Sequence, residues 1–211
     1  MINSRDTFSY PIHAEQVKLT TTDLYFIYLL RVVTVIVESE RITAYIGLGS
    51  NLGDRAGNLL YGVRGLIEAS FVVTKLSPVY ETEPIGIETD LPFLNMVAEI
   101  RSEAVTPTQM MARLLRIEYL LGRTDKSLRK PRTIDLDLLF FGNVRMDTPF
   151  LTIPHPRVQS RRFVLVPLND VAPHFFHPLM HKDIRALLNE CEDRSSVVRW
   201  NPMGWPTDAG A

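Results

Sequence analysis

Two aspartates separated by a single residue, Asp135 and Asp137, are the sharpest chemical feature of this sequence. They lie in the segment TIDLDLLFF, residues 133–141, whose apolar composition predicts a β-strand. Because side chains alternate along a strand, the two carboxylates share one face and lie about 7 Å apart. The same alternation assigns Thr133 and Leu139 to the aspartate face, and it assigns Ile134, Leu136, Leu138 and Phe140 to the opposite face.

A pair of carboxylates on one face of a strand is a candidate magnesium site. Mg²⁺ prefers hard oxygen ligands, and it usually combines one or two carboxylates with the phosphate oxygens of a substrate. Two ions can be bridged in the same way. The alternative is an ordinary half-exposed strand whose acidic side chains point to solvent.

A cluster of basic residues leads directly into the acidic strand. Residues 123–132 contain one acidic residue, Asp125, and five basic ones: Arg123, Lys126, Arg129, Lys130 and Arg132. Arginine and lysine side chains suit the phosphate oxygens that a metal leaves free. This neighbourhood favours a site for a magnesium-bound triphosphate, and the alternative is a solvated basic loop or a weak RNA-contacting patch.

Glu118 and His155 are two further candidates for contact with a nucleotide. Glu118 lies at the margin of the apolar stripe of a predicted helix, where it can bind a base or sugar, orient Arg123, or pair with a surface arginine. His155 lies between two prolines, which exclude a helical backbone. It can donate to a phosphate oxygen or cap a turn.

A zinc site at His174, His177 and His181 is disfavoured because Pro178 interrupts the helix that would align them.

The glycine-rich segment GLGSNLG, residues 47–53, does not match a known nucleotide-binding loop. It has one residue too many for the dinucleotide motif G-x-G-x-x-G, and no G-x-x-x-x-G-K-[ST] motif occurs in the sequence. We therefore expect that ATP binds to this chain through neither a Rossmann-type dinucleotide loop nor a P-loop.

The elements that must position these residues alternate along the chain from about residue 42. Strands are predicted over residues 42–48, 71–80, 93–100 and 133–141, and residues 81–86 are predicted to form a loop. A helix capped by Asp54 is predicted to run to about residue 69, with one apolar face formed by Leu59, Leu60, Val63, Leu66 and Ile67. Thr106, Pro107 and Gln109 form a capping box for a second helix that ends at Gly122. Short helices are predicted over 162–170 and 183–190. The order β-α-β-β-α-β predicts a ferredoxin-like α+β fold.

The composition limits the classes of function. The chain has 211 residues, a net charge of −1 and a single cysteine, Cys191. We therefore expect one main domain, no nucleic-acid partner, and a reducing, cytoplasmic environment. Residues 24–37 are apolar but contain Arg31, so we expect an added strand or helix rather than a membrane span, with a membrane-surface or partner-binding segment as the alternative.

Several separate motifs resemble those of the 6-hydroxymethyl-7,8-dihydropterin pyrophosphokinases, enzymes of folate synthesis. The matching segments are 45–55 (YIGLGSNLGDR), 77–86 (SPVYETEPIG), 93–95 (FLN), 116–123 (RIEYLLGR), 131–137 (PRTIDLD) and 154–156 (PHP). The resemblance covers residues 42–192. It divides the chain into an N-terminal extension, residues 1–41, a pyrophosphokinase domain, residues 42–192, and a tail, residues 193–211, whose end is expected to be loose.

The resemblance implies a ferredoxin-like α/β/α sandwich with a mainly antiparallel sheet. It also implies transfer of pyrophosphate from ATP to the pterin, with release of AMP. Asp135 and Asp137 would hold two magnesium ions, and Arg132 would join them in catalysis. The pterin would be bound by Thr82, Glu83, Ile85, Phe93, Asn95 and Phe163, with the two phenylalanines on either side of its ring. ATP would be bound by Glu118, Arg123, Lys126, Arg132, His155 and Arg161. A monomer is expected, with ATP and the pterin as its only partners.

Two departures from the family pattern concern the basic loop. Residues 123–132 are one residue shorter than usual, and Asp125 replaces a basic residue. The resemblance also implies that residues 84–91 and 123–130 close over ATP.

One alternative function is a non-catalytic pterin- or nucleotide-binding protein, which would be expected to lack the aspartate pair. Another is an RNA-binding module, which would need paired aromatic residues on central strands that the sequence does not show.

Overall fold

The computed structural model describes residues 41–86, 89–123 and 130–201. The strands are β1 (Ile42–Ser50), β2 (Val72–Leu76), β3 (Tyr80–Thr82), β4 (Phe93–Ser102), β5 (Asp135–Phe141), β6 (Met146–Asp147), β7 (Thr152–Ile153) and β8 (Val197–Arg199). The α-helices are α1 (Arg55–Glu68), α2 (Pro107–Leu120), α3 (Arg162–Val171) and α4 (Ile184–Glu190), and a 3-10 helix spans Val158–Ser160. Residues 1–40 of the N-terminal extension lie outside the described residues. None of the helices described is long and apolar enough to cross a membrane.

The main sheet is antiparallel, with the strand order β5-β1-β4-β3-β8, and β2 also pairs with β4. β2 and β3 lie along successive parts of β4: β2 pairs with residues 98–101 and β3 with residues 93–95. Taken together, β2 and β3 replace the second strand of a β-α-β-β-α-β unit. The predicted ferredoxin-like α+β fold is confirmed.

The strand predicted over residues 71–80 is wrong in its extent, because it divides in two at Ser77 and Pro78. Ser77 still bonds to β4, since its backbone N–H donates to Val97 O and its hydroxyl accepts from Val97 N, both at 2.9 Å. Pro78 has no N–H to continue the ladder. The chain resumes pairing at Tyr80, so Glu81 and Thr82 lie in a strand and not in the predicted loop.

Helices α1 and α2 cover one face of the sheet, and both begin as predicted. Asp54 accepts a hydrogen bond from Gly57 N at 3.0 Å. In the capping box, Gln109 N donates to Thr106 Oγ1 and Thr106 N donates to Gln109 Oε1. The buried stripe of α1 is narrower than predicted: Leu60 is 72% exposed and Ile67 57%. Gly62 allows the close approach of α1, because a Cβ there would lie 3.1 Å from Ile134.

Helices α3 and α4 cover the opposite face, which completes the predicted α/β/α sandwich. This second core contains Tyr45, Leu139, Phe140, Leu165 and Leu168. The prediction that Phe140 shares a face with Leu138 is wrong. Tyr45 pairs with Phe140 but Ile46 pairs with Leu138, so β5 contains an additional residue at a β-bulge. Beyond the bulge Phe140 points to the α3 side, whereas Asp135 and Asp137, which precede the bulge, keep their predicted face.

The segment after α4 returns to the sheet. Asp193 Oδ2 accepts a hydrogen bond from Arg162 N at 2.8 Å, at the start of α3. β8 then pairs with β3, and Trp200 N donates to Val79 O at 2.9 Å. The described part of the tail thus contains an ordered strand, and its end, residues 202–211, which was predicted to be loose, lies outside the described ranges.

Candidate active site

A cleft opens on the α3 side of the sheet, where β1 ends and β4 and β5 begin, beside the first turn of α3. It is lined by ten of the predicted site residues: Thr82, Glu83, Ile85, Phe93, Asn95, Arg132, Asp135, Asp137, Arg161 and Phe163. The residues predicted to bind pterin and those predicted to bind metal thus lie in one cavity.

Gly49 on the central strand joins the two halves of the cleft. It pairs with Asn95 on β4 and with Asp135 on β5, so an amide and a carboxylate lie on either side of one glycine. A Cβ at this position would lie 2.7 Å from Asn95 Oδ1. The absence of a side chain therefore lets the Asn95 amide lie directly against β1.

The half of the cleft beside β4 combines an oriented amide with two aromatic rings. Asn95 Nδ2 donates to Thr82 Oγ1 at 2.7 Å, and both residues are buried. The Arg132 guanidinium lies 5.2 Å from the centre of the Phe93 ring, and that of Arg161 lies 5.4 Å from the Phe163 ring. This half offers apolar faces and hydrogen-bonding groups together, which a flat heteroaromatic ligand requires.

The half beside β5 is built from charges. Arg132 Nη2 lies 3.0 Å from Asp135 Oδ2, and Arg123 Nη1 contacts Asp135 Oδ1. The Nε atom of Arg132 is buried and has no hydrogen-bond acceptor in the part of the chain that the structure describes. A buried guanidinium N–H without an acceptor is a position where an anionic ligand oxygen can bind.

Glu118 lies behind this charged half and pairs with Arg123, which is also buried. Its side chain is 2% exposed and that of Arg123 is 6% exposed, with 2.8 Å between Glu118 Oε1 and Arg123 Nη1. The same carboxylate oxygen accepts a hydrogen bond from Leu136 N at 2.7 Å. Glu118 therefore orients Arg123, which is one of the roles considered for it. It also fixes the backbone of β5 at Leu136, the residue between the two aspartates.

Arg161 lies in surroundings that favour an added negative charge. Its pKa is lowered, mainly by burial and next by repulsion from Arg157, while Asp137 and Asp135 act in the opposite direction. A guanidinium remains charged at neutral pH even so. An anion bound beside Arg161 and Arg132 would relieve both the repulsion and the loss of hydration.

A second groove, of about 520 Å³, adjoins the cleft, and Asp137 lines both. His155 and Thr152 also line this groove. His155 Nδ1 accepts a hydrogen bond from Arg157 N at 3.2 Å, so in the neutral ring Nε2 carries the proton and is a donor. His155 thus caps a turn, as the alternative interpretation held, and it also presents a donor.

The candidate metal ligands are the two carboxylates of β5. Among residues 41–86, 89–123 and 130–201, no group of three or more His, Cys, Asp or Glu side chains is arranged to hold a metal. Two carboxylates with room for ligand oxygens beside them fit magnesium better than a structural metal. Lys126 and Asp125, the altered position in the basic loop, lie outside the described residues.

Three residues that position the site were not predicted to do so. Gly49 and Asn51 were noted only as parts of a motif, and Asp193 was assigned to the tail. Asn51 is buried and forms two hydrogen bonds with the backbone of Arg132. No local pattern reveals such a bond between residues 81 positions apart.

Comparison with known proteins identifies the family. The family described as 7,8-dihydro-6-hydroxymethylpterin-pyrophosphokinase (HPPK) matches residues 45–173. The chain belongs to this family. An HPPK relative from Bacillus subtilis, named 2-amino-4-hydroxy-6-hydroxymethyldihydropteridine pyrophosphokinase, is 44% identical over 61% of this chain and 77% of its own length. A relative of the same name from Aquifex aeolicus is 33% identical over 68% of this chain and 88% of its own.

Solved structures support the same fold. The wild-type HPPK-DHPS of Plasmodium falciparum with pterin and p-hydroxybenzoate superimposes with a TM-score of 0.58 at 18% identity. The match covers 74% of this chain and 44% of that one, so the present chain spans less than half of that protein. These comparisons confirm the family that was predicted from the sequence. They also confirm the HPPK fold and the assignment to the pyrophosphokinases of folate synthesis.

Proposed function

We propose that the protein transfers the β,γ-pyrophosphoryl group of ATP to the hydroxyl of 6-hydroxymethyl-7,8-dihydropterin, releasing AMP. The observation that carries this proposal is the pairing across Gly49 of an amide-and-aromatic pocket with a carboxylate-and-arginine cluster. Such a cleft can bind a flat polar ring and a polyphosphate next to each other. Membership of the HPPK family supports the same substrates.

In this proposal the pterin occupies the half of the cleft beside β4. Phe93 and Phe163 would pack on the two faces of its ring, and the Asn95 amide would bond to its polar margin. Thr82 fixes the orientation of that amide. Glu83 and Ile85 line the same half and would contribute backbone groups.

Asp135 and Asp137 would hold two magnesium ions, which fits their position between the cleft and the second groove. Bound magnesium would neutralise charge on the phosphate oxygens. Arg132 and Arg161 would bind oxygens that the metal leaves free, and the buried Nε of Arg132 would gain an acceptor. His155 Nε2 would donate to the nucleotide in the second groove, and Lys126 would add positive charge to the phosphate site.

In the reaction, the hydroxyl oxygen of the pterin forms a bond to the β-phosphorus of ATP. The bond between the β-phosphorus and the oxygen bridging to the α-phosphorus breaks, and AMP leaves with that oxygen and its electron pair. The hydroxyl proton passes to water. The protein acts mainly by positioning both substrates and by stabilising charge with Arg132 and Arg161.

The test is AMP release from ATP and magnesium, with and without the pterin. We expect AMP only when the pterin is present, and no ADP. Asp137→Asn should lower the rate by about 100-fold or more, whereas Glu68→Gln, on the surface of α1 in an ion pair with Arg64, should not change it. ADP as the product, AMP formed equally without pterin, or a folded protein that binds pterin and forms no AMP would contradict the proposal.

Two finer properties are also proposed. We infer that activity requires magnesium, which titration of the metal against AMP release would test. We further infer that the protein is a monomer and that it acts in the cytoplasm. The cytoplasmic location is supported by Cys191, a single buried free cysteine, because a chain with one cysteine needs no internal disulfide.

A further inference from the structure

We propose that Asn51 is a positioning residue for pyrophosphoryl transfer, because it anchors the backbone of Arg132 and links it to residues 91 and 92, which lead into β4. The inference rests on the proposed function and extends it to a residue that touches neither substrate. The observations behind it are the hydrogen bonds that the buried residue Asn51 forms with two separate segments of the cleft wall, one at Arg132 and one at Leu91.

The first contact is a reciprocal pair of hydrogen bonds with Arg132. Arg132 N donates to Asn51 Oδ1 at 2.8 Å, and Asn51 N donates to Arg132 O at 3.1 Å. Asn51 is 2% exposed, so water does not compete for these bonds. They hold the chain at residue 132 against the end of β1, just before β5 begins.

This anchor decides where the Arg132 side chain can reach. Its guanidinium contacts Asp135 Oδ2 at 3.0 Å and lies 5.2 Å from the centre of the Phe93 ring. It therefore meets both halves of the cleft, and its buried Nε atom has no hydrogen-bond acceptor among the described residues. A shift of the backbone at Arg132 would displace the guanidinium from all three positions at once.

The second contact extends to the segment that leads into β4. Asn51 Nδ2 lies 3.5 Å from Leu91 O, and the neighbouring Pro92 O accepts from Arg55 Nη1 at 2.9 Å. Leu91 and Pro92 immediately precede Phe93, which lines the cleft. One amide thus contacts the chain on the metal side and on the pterin side.

The chemistry explains why this residue is asparagine. The position needs an acceptor for Arg132 N and a donor toward Leu91 O, and a carboxamide supplies both without adding charge beside Asp135. Aspartate retains the acceptor and loses the donor. Alanine loses both, while the backbone bond from Asn51 N to Arg132 O can remain.

The experiment is a double-mutant cycle on the full chain, with Asn51→Ala, Arg132→Ala and the double variant. We expect Asn51→Ala to lower kcat of pterin-dependent AMP release by about 10- to 100-fold, with a change in KM for the pterin of less than about threefold. In the Arg132→Ala background the same change should lower kcat by less than about threefold, because the residue through which it acts is gone. Asn51→Asp should recover most of the rate.

Asn58→Ala is the matched control. Asn58 Nδ2 donates to Leu52 O at 2.8 Å and to Ser50 Oγ at 3.3 Å, so it supports the same turn without contacting Arg132. It should lower the melting temperature by less than Asn51→Ala does, because the Asn58 side chain is only partly buried, and it should leave kcat unchanged. Equal losses of kcat in Asn58→Ala and Asn51→Ala would overturn the proposal, as would additive losses in the cycle or a rate of Asn51→Asp no higher than that of Asn51→Ala.

A binding measurement separates failure of this inference from failure of the proposed function. If the wild-type protein releases no pterin-dependent AMP, the proposed function fails, and the cycle is repeated on the Kd for α,β-methylene-ATP with magnesium. Asn51→Ala should then weaken binding by about 10-fold when Arg132 is present and by less than about threefold when it is absent. Equal weakening in both backgrounds would show that Asn51 does not act through Arg132. Should Asn51→Ala fail to fold, Asn51→Leu, which has about the size of asparagine and lacks the acceptor for Arg132 N, replaces it in the same two backgrounds with the same expected results.

Discussion

Replacement of Gly49 by alanine gives a direct test of how the cleft is built. Gly49 lies between Asn95 and Asp135 on the central strand, and the Asn95 amide occupies the space where a side chain would be. The variant adds one methyl group and no charge. We expect it to impair the pterin half of the cleft without unfolding the protein.

The size of the effect follows from two distances. The new Cβ would lie 2.7 Å from Asn95 Oδ1, whereas ordinary contact begins at 3.4 Å, so the amide has to withdraw by about 0.7 Å. Asn95 is also bonded to Thr82 at 2.7 Å, and this bond must stretch or rotate with it. A misplaced neutral hydrogen bond costs about 0.5–1.5 kcal/mol. We therefore expect pterin binding to weaken by up to about 10-fold.

Gly47→Ala is the matched control on the same strand. A Cβ at Gly47 would meet Leu139 Cδ2 at 3.5 Å, which is an ordinary contact. Both substitutions reduce the freedom of the unfolded chain, and Gly47→Ala is expected to raise the free energy of unfolding by about 0.4–1 kcal/mol. Gly47 also lines the cleft, but its methyl group would not displace Asn95, so Gly47→Ala should weaken pterin binding by less than Gly49→Ala does.

The assay is calorimetric titration of each variant with the pterin and, separately, with α,β-methylene-ATP and magnesium. Gly49→Ala should show a raised Kd for the pterin and an unchanged Kd for the nucleotide. Wild-type pterin affinity in Gly49→Ala would refute the reasoning, because it would show that the Asn95 amide does not need the space above Gly49. Equal losses of pterin affinity in both glycine variants would also refute it.

Three other predictions concern the supports of the site. Burial tends to raise the pKa of Asp193, but hydrogen bonds from the backbone N–H groups of Ser195 and Arg162 outweigh burial, so the pKa is lowered. The carboxylate therefore stabilises the fold above about pH 4, and this stability is lost as the pH falls through the lowered pKa. Asp193→Asn should therefore lower the melting temperature at pH 7, and the difference should shrink as the pH falls below about 4; a difference that stays constant as the pH falls would contradict this. Thr106→Ala should lower the free energy of unfolding in urea by about 1 kcal/mol through loss of the helix cap, and no change would show that the capping box does not stabilise α2. Glu118→Gln should lower it by about 2 kcal/mol, since it removes one of the two carboxylates that contact the buried guanidinium of Arg123, and a loss of less than about 1 kcal/mol would mean that the pair behaves as if it were exposed.

The local parts of this fold could be predicted because their causes are local. The capping box at Thr106 and the cap at Asp54 depend on residues within one turn, and both helices begin where these caps lie. The aspartates also keep their predicted face, because alternation holds along β5 up to the bulge. Phe140 was misplaced because a bulge depends on how β1 pairs with β5, which a single segment does not encode.

The long-range parts of the site could not be read in the same way. Glu118 has the sequence context of a surface residue, and its burial arises only when Arg123 and Leu136 N come to lie against it. β8 is three residues long and has little periodic pattern, yet pairing with β3 orders it. The residues proposed to contact ligands were recognisable by type and motif, whereas the residues that hold them in place depend on contacts across the whole domain.

The pairing of β3 with β8 has a consequence for how the protein is made. β3 carries Thr82, which orients Asn95, and its outer neighbour is the last strand of the described chain. During synthesis the rest of the sheet can form while β3 is still an unpaired edge with free N–H and C=O groups, and such edges promote aggregation. A shortened version that ends before Val197 would leave that edge permanently open, so its low solubility would reflect a missing strand rather than a defect in the cleft.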